Sequence, residues 1–299
     1  MKKIIYSDQS GKSYTKSEFI RYFEAKVFRT IRKYGMFDKG DKIVVAMSGG
    51  KDSVATAHIL NQIISKRGEQ LEALLIDEGI PGYRDITIKD AKKFCKDEGI
   101  KLTIASPKKE FKFTLTQALN KLSKNPCNMC GTLRRYLLNL YAKKLNATKV
   151  ATGHNLDDEA QTVLMNQYKG NVQLSAKLGP VTGVTEHKKF IRRIKPLYFM
   201  TEKEVAIYTT LKGFQVIYTE CPKARDSFRS TVRDQINDLE NNYPGIKNGI
   251  INSFLEMLPR LRKELAPKSK IRECESCQEP AAKKICSMCE LLGEYRQAK

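Results

Sequence analysis

No stretch of the 299-residue sequence reaches the roughly 18 consecutive apolar residues that a membrane-crossing helix needs. A membrane partner is therefore not expected. The opening residues, Met1-Lys2-Lys3-Ile4-Ile5-Tyr6-Ser7-Asp8, turn polar too early for a secretory signal, so a cytoplasmic protein with reduced thiols is expected. Internal repeats and low-complexity tracts are missing as well. Acids are scarce: 33 Asp and Glu stand against 54 Lys and Arg, a formal net charge of +21. That imbalance says nothing about fold but predicts attraction to a polyanion through phosphate neutralisation. A solvated, lysine-rich surface is the plainer explanation. Cysteine is absent before Cys95, and histidine occurs only three times.

What is present supports one large α/β domain with a small appendage, since 41% of the residues are hydrophobic. Lys16 to Tyr34 forms an amphipathic basic helix with Phe19, Tyr22, Phe23, Val27 and Ile31 along one stripe. Four short apolar runs follow, Ile43–Met47, Ala73–Ile76, Leu102–Ala105 and Val150–Thr152. Helical patterns alternate with them, at about Asp52–Ser65, Asp85–Glu98 and from Asp157 onward. Such alternation implies right-handed βαβ units and a parallel sheet, whose ligands bind at the carboxyl ends of the strands. A further strand is expected at Gln215-Val216-Ile217-Tyr218, and a basic helical tail at Asn248–Leu265.

Ser48-Gly49-Gly50-Lys51-Asp52-Ser53 joins the first strand to its helix. Glycines admit a phosphate to the backbone, the helix amino terminus offers free N–H groups, and Lys51 adds a compact cation. A tight turn alone needs neither the lysine nor the flanking hydroxyls. At the fourth strand, Gly153-His154-Asn155-Leu156-Asp157-Asp158-Glu159-Ala160-Gln161-Thr162 places Gly153 and His154 at a carboxyl end. Asn155 is suited to cap the helix, and the acids suit its dipole. His154 is either a ligand-facing group or a satisfied surface histidine; His58 and His187 read as structural.

Of eight cysteines, Cys95 reads as a buried hydrophobe and seven fall in patterns. Cys274-x2-Cys277-x8-Cys286-x2-Cys289 has the spacing of a closed, structural Cys₄ zinc site. Cys127-x-x-Cys130 lies in a region, Ser106 to Lys149, with ten Lys and Arg but a single acid, Glu110. Those charges are either solvated helix faces or a surface for RNA.

The residues SGGKDS resemble the PP-loop of the N-type ATP pyrophosphatases, which cleave ATP between the α- and β-phosphates. Together with GHNLDDEAQT and Cys127/Cys130, the chain is similar to the tRNA 2-thiouridine synthetases, and more distantly to the 2-thiocytidine synthetases, from about Phe19 to Cys289. The resemblance implies a doubly wound parallel sheet of the adenine nucleotide α-hydrolase type with a small C-terminal zinc module. It implies that Ser48 to Ser53 hold ATP with Mg²⁺, that adenosine lies near Ile76 and Asp77, and that a 4Fe-4S cluster is held by Cys127, Cys130 and Cys221. It also implies catalytic roles for Asp158 and Arg134, a tRNA substrate, and sulfur from a thiocarboxylated ubiquitin-like carrier or free sulfide. A homodimer is expected on the same ground. Lysine is common at the position of Arg134, and arginine keeps the charge but not the proton chemistry.

The expected parts are a basic segment without zinc ligands at 1–40, a catalytic domain at 41–222, a basic helical segment at 223–270 and the zinc module at 271–299. Four alternatives stay open. Cys127 and Cys130 would form a redox pair with a persulfide that Cys221 resolves, or a zinc site with His154. The acceptor would be a nitrogen nucleophile in an RNA-modifying ligase. The chain would be a non-catalytic RNA-binding zinc protein.

Overall fold

A computed structural model describes residues 3–182, 189–216, 221–222, 227–265 and 271–298. The chain opens with a hairpin, β1 (Tyr6–Ser7) against β2 (Ser13–Tyr14), and continues into α1 (Lys16–Lys33). Asp8 organises the hairpin turn in place of any metal ligand. Its carboxylate accepts from Ser10 N at 2.9 Å, Lys12 N at 3.1 Å and the Tyr14 hydroxyl at 2.7 Å.

The centre is a five-stranded parallel sheet. From β3 (Ile43–Met47) the chain passes through α2 (Lys51–Ser65) to β4 (Glu72–Ile76), then through α3 (Arg84–Asp97) to β5 (Lys101–Ala105). Three helices, α4 (Pro107–Phe111), α5 (Leu115–Lys121) and α6 (Pro126–Lys144), carry it back across the sheet to β6 (Lys149–Ala151). After α7 (Leu156–Tyr168) and α8 (Val172–Ser175), β7 (Arg192–Ile194) forms the edge. The spatial order is β5-β4-β3-β6-β7, so winding reverses between β3 and β6. That switch point is where a doubly wound sheet opens a crevice.

Side chains alternate across the sheet, and both faces are apolar. Val45, Met47 and Leu75 join a core with Phe19, Phe23 and Val27 of α1 and with Tyr208 of α9 (Glu202–Leu211). Phe23 stacks on Tyr208 at 4.1 Å, so the amphipathic α1 is part of the main core. Each such fully buried aromatic contributes about 1.5–3 kcal/mol. Val44, Leu74 and Val150 face the other way, onto Leu137 and Tyr141 of α6. Behind the switch point, α10 (Phe228–Asn242) and α11 (Ile246–Glu264) cover α7 through Val232, Ile236 and Phe254. A short ribbon, β8 (Arg272–Glu273) with β9 (Pro280–Ala281), and α12 (Ser287–Gln297) complete the chain. Met288 and Leu291 of α12 pack on Met129 and Leu133 of α6, and Tyr295 stacks on Phe113 at 4.3 Å.

The four apolar runs become β3 to β6, with bounds shifted by at most one residue. The fifth strand differs from the sequence expectation. Gln215 and Val216 lie outside any strand, Ile217 and Tyr218 outside the described residues, and β7 takes the edge instead. Two arginines and one isoleucine at an edge give no apolar run, because an edge strand needs little burial. His187 also falls outside the described residues.

Candidate active site and cysteine centres

Ser48, Gly49 and Gly50 span the gap between the end of β3 and the start of α2. The Ser53 hydroxyl accepts from Ser48 N at 3.1 Å and donates to the Gly50 carbonyl at 2.9 Å, fixing the loop from within. Gly49 has φ +87°, and a Cβ there would stand 2.5 Å from the Thr87 carbonyl oxygen. No other residue fits that position without moving α3. Lys51 bridges Asp52 at 3.2 Å and Glu202 at 2.7 Å. Burial works against its charge, but the two carboxylates outweigh burial and raise its pKa above the ordinary lysine range.

The second motif backs onto the loop. A Cβ on Gly153 would stand 2.7 Å from the Asp52 carbonyl carbon, so the two backbones touch at the switch point. Asn155 Nδ2 donates to Asp52 Oδ1 at 2.9 Å, and the Asn155 and Asp158 side chains close a capping box on α7. Capping therefore explains part of Asp158. Burial chiefly, and Glu202 besides, push the Asp158 pKa up; burial and the nearby Asp158 do the same for Asp52, against the pull of Lys51. Two carboxylates that disfavour each other's charge beside a phosphate loop form a donor set suited to a hard divalent cation.

His154 stands exposed at the mouth of the cleft and pairs with the Thr152 hydroxyl at 2.9 Å. Loss of solvation beside the surrounding protein, and then the Lys195 ammonium, hold its pKa below the ordinary histidine range. On the far side of β3, at the end of β4, Ile76 is buried, and just beyond it Asp77 Oδ1 accepts from Gly79 N at 2.9 Å.

Cys127 and Cys130 lie one turn apart at the start of α6, which Pro126 and the Asn125 cap initiate. Cys127 is exposed; Cys130 and Cys221 are half-buried. Arg134 Nη2 sits 3.6 Å from Cys130 Sγ. Burial raises the Cys130 pKa, Arg134 lowers it, and Glu78 and Cys221 add to the rise, which brings Cys221 from a distant part of the chain into the neighbourhood of Cys130. Among the described residues, one group of ligand atoms closes to within 4.8 Å, and it is Cys274, Cys277, Cys286 and Cys289. Cys127, Cys130, Cys221 and His154 form no group of that spacing, so the four are not gathered around a single ion.

The terminal four fit a tetrahedral metal. Cys286 N donates to Cys274 Sγ at 3.3 Å and Cys289 N to Cys286 Sγ at 3.4 Å. Burial opposes the Cys274 thiolate, but backbone N–H groups of Cys286, Cys277 and Ser276 outweigh it and bring its pKa to about 6. Tyr136 of α6 hydrogen-bonds Cys277, so this module is tied to the helix that carries Cys130.

The basic region between β5 and β6 divides into two kinds of charge. Lys124, Lys143, Lys144 and Lys149 are held by Glu294, Glu279, Glu110 and Asp41 and serve the fold. The Arg135 and Arg193 guanidiniums have no carboxylate partner among the described residues. Burial, and then Arg135, lower the Arg193 pKa to about 10. Asn139, one turn beyond Arg135, hydrogen-bonds Ile191 N at 3.1 Å, which lays this part of α6 against β7.

Sequence reasoning missed Glu78, Arg84 and Arg229. Glu78 lies fully buried between Arg84 and Arg134, and Arg229 reaches Gln161 Oε1 at 3.1 Å and Thr162 Oγ1 at 3.0 Å. Only Glu78 stood beside a residue already singled out, and a lone acid at a strand end carries no signal of its own.

The PP-loop domain family matches residues 21–240. The tRNA-5-methyluridine(54) 2-sulfurtransferase of Pyrococcus horikoshii is 38% identical over 92% of this chain and 86% of its own length. The tRNA 2-thiolation protein NcsA of Haloferax volcanii is 33% identical over 97% of this chain and 95% of its own. Among solved structures, the U34-tRNA thiolase NcsA from Methanococcus maripaludis with its [4Fe-4S] cluster superimposes with a TM-score of 0.80 at 32% identity, covering 96% of this chain and 92% of that one. With the phosphate loop at the switch point and a cysteine pair across the same cleft, the chain belongs to the PP-loop family, in the branch of the tRNA 2-thiolation sulfurtransferases.

Proposed function

We propose that the chain uses ATP to activate the C2 oxygen of a tRNA uridine and then replaces that oxygen with sulfur. The observation that carries this reading is the joining of loop and cysteine helix: Ser48 O, Arg84, Glu78, Arg134 and Cys130 Sγ form one chain of contacts. An ATP pyrophosphatase without sulfur chemistry has no use for a cationic residue aimed at a thiol.

Ser48 to Ser53 hold the β- and γ-phosphates, with Lys51 released from Glu202 to meet them. Asp52 and Asp158 hold Mg²⁺, which relieves their mutual repulsion. Ile76 and Asp77 flank the adenosine, and Gly153 and His154 line the opposite wall. The uridine C2 oxygen forms a bond to the α-phosphorus while the bond from that phosphorus to the bridging oxygen breaks, releasing pyrophosphate. AMP is then the leaving group when sulfur attacks C2. A 4Fe-4S cluster held by Cys127, Cys130 and Cys221 supplies, when bound, an iron that no protein thiolate occupies and that is open to inorganic sulfur.

The half-buried Cys130 and Cys221 and the exposed Cys127 suit that three-thiolate set, and Arg134 offsets its negative charge. Arg135 and Arg193 take the RNA phosphodiester beside the target base, which must leave its stack to reach the cleft. The terminal four cysteines hold zinc.

Anaerobic purification with iron, acid-labile sulfide and zinc counts, followed by nucleoside mass spectrometry of tRNA from a deletion strain, tests the reading. Loss of one thiouridine is expected, and its position separates the two target sites borne by the relatives' names. Unchanged thiouridine overturns the proposal. Full activity without iron moves the sulfur to a persulfide on the same cysteines. Sulfide and a thiocarboxylated carrier protein, supplied in turn, identify the donor.

A further inference from the structure

We infer that Glu78 is a positioning residue that fixes the nucleotide loop and the cysteine helix in a single geometry, a role that rests on reading the cleft as an adenylation and sulfur-transfer site. Its carboxylate is fully buried and takes guanidinium donors from two directions. Arg84 Nε donates to Oε2 at 2.6 Å and Nη2 to Oε1 at 3.0 Å. The remaining nitrogen, Nη1, donates to the Ser48 carbonyl at 3.0 Å and the Thr87 hydroxyl at 3.3 Å. From the other side, Arg134 Nε stands 2.8 Å and Nη2 2.7 Å from Oε1, and the same Nη2 lies 3.6 Å from Cys130 Sγ. Two rigid forks and one carboxylate thus span from the first residue of the loop to a cysteine sulfur.

The two arginines differ in what they do with the bond. Arg84 is 5% exposed and ends on a backbone carbonyl, so it works as a strut under the loop. Arg134 is 49% exposed and sets the same Nη2 that meets Glu78 beside the thiol, so it presents charge. Burial resists ionisation of Glu78, yet Arg134 and Arg84 outweigh burial and keep its carboxyl below the ordinary range. One anion against two cations leaves positive charge in surplus, on the side that faces sulfur. A merely stabilising ion pair would be complete with Arg84; sharing Oε1 with a second arginine that touches Cys130 goes beyond it.

The test compares Glu78→Asp, Glu78→Gln, Arg84→Lys and Arg134→Lys in the full chain. Aspartate keeps the charge and shortens the reach by one methylene; glutamine sets amide N–H groups against guanidinium donors. Two readouts need neither tRNA nor cluster: the Kd of a non-hydrolysable ATP analogue by calorimetry, and the alkylation rate of Cys130 by mass spectrometry in iron-free protein that keeps its terminal zinc. Glu78→Asp should weaken the nucleotide roughly tenfold, as expected for one misaligned charged hydrogen bond. It should also slow Cys130 alkylation roughly threefold as the Arg134 guanidinium, no longer held on Oε1, drifts from the sulfur. Arg84→Lys should move only the first readout and Arg134→Lys only the second. Glu78→Gln should move both further, measured on the fraction that remains folded. Wild-type values of both quantities in Glu78→Asp, or changes that only follow the loss of folded protein, overturn the inference. Failure of the thiolation reading shows separately, as wild-type protein that leaves tRNA unsulfurated.

Discussion

The chain carries two cysteine groups that differ in what closes them. Cys274, Cys277, Cys286 and Cys289 come from 16 consecutive residues, lie within 4.8 Å of one another and take backbone N–H donors. Cys127 and Cys130 share a helical turn, and the third, Cys221, arrives from 91 residues away. Arg134 Nη2 lies 3.6 Å from the Cys130 sulfur. Four protein thiolates shut a site around its ion, whereas the proposed set of three would leave a position open. The first kind stabilises a fold, and the second is available to a reactant.

Exchanging one cysteine in each group should break that comparison most forcefully. Cys130→Ser or Cys221→Ser should lower thiouridine formation by about a hundredfold or more while Tm stays near the parent value, because serine nearly keeps the volume of the side chain it replaces. Cys289→Ser should do the reverse. A structural zinc site can contribute on the order of 10 kcal/mol to folding its own module, so the ribbon and α12 should come apart and Tm should fall. Thermal melting beside nucleoside mass spectrometry reads both. A fully active Cys221→Ser enzyme removes Cys221 from the site.

A smaller effect tests the face beside the open site. Arg135→Ala and Arg193→Ala should each weaken tRNA binding about uniformly across tRNA species and reduce the salt slope of log K by about one. ATP analogue binding should not change. Equal loss in Lys144→Ala, whose charge is already held by Glu110, would show that the basic region acts only as bulk charge.

What could be read beforehand follows the same division. The terminal module was legible as spacing alone, since all its ligands are local. The loop Ser48–Ser53 and the strands β3 to β6 were legible because buried parallel strands are apolar runs and phosphate loops are short. The open site was legible only by resemblance, for nothing in the spacing ties Cys221 to Cys130. Glu78, Arg84 and Arg229 were not legible at all. Each is an ordinary charged residue whose role arises from tertiary contacts, as with Lys247, which pairs with Asp157 from 90 residues away. The edge strand β7 escaped for the opposite reason: too little is buried there to leave a pattern.

The finest distinction between the two groups is in their protons. In metal-free protein Cys274 has a pKa near 6, whereas burial, opposed by Arg134, raises that of Cys130 above its ordinary value of 9.0. Cys130 is therefore almost entirely thiol at pH 7, and its thiolate fraction should grow about tenfold per pH unit up to pH 9. Alkylation of Cys130, followed by mass spectrometry between pH 6 and 9, should rise with that slope and show no plateau. Arg134→Ala removes the guanidinium 3.6 Å from the sulfur, so its rate should lie below the parent's at every pH in that window. A plateau below pH 8 would mean that the cleft already stabilises a thiolate without metal, and the open site would then resemble a nucleophile poised for a persulfide more than a ligand waiting for iron.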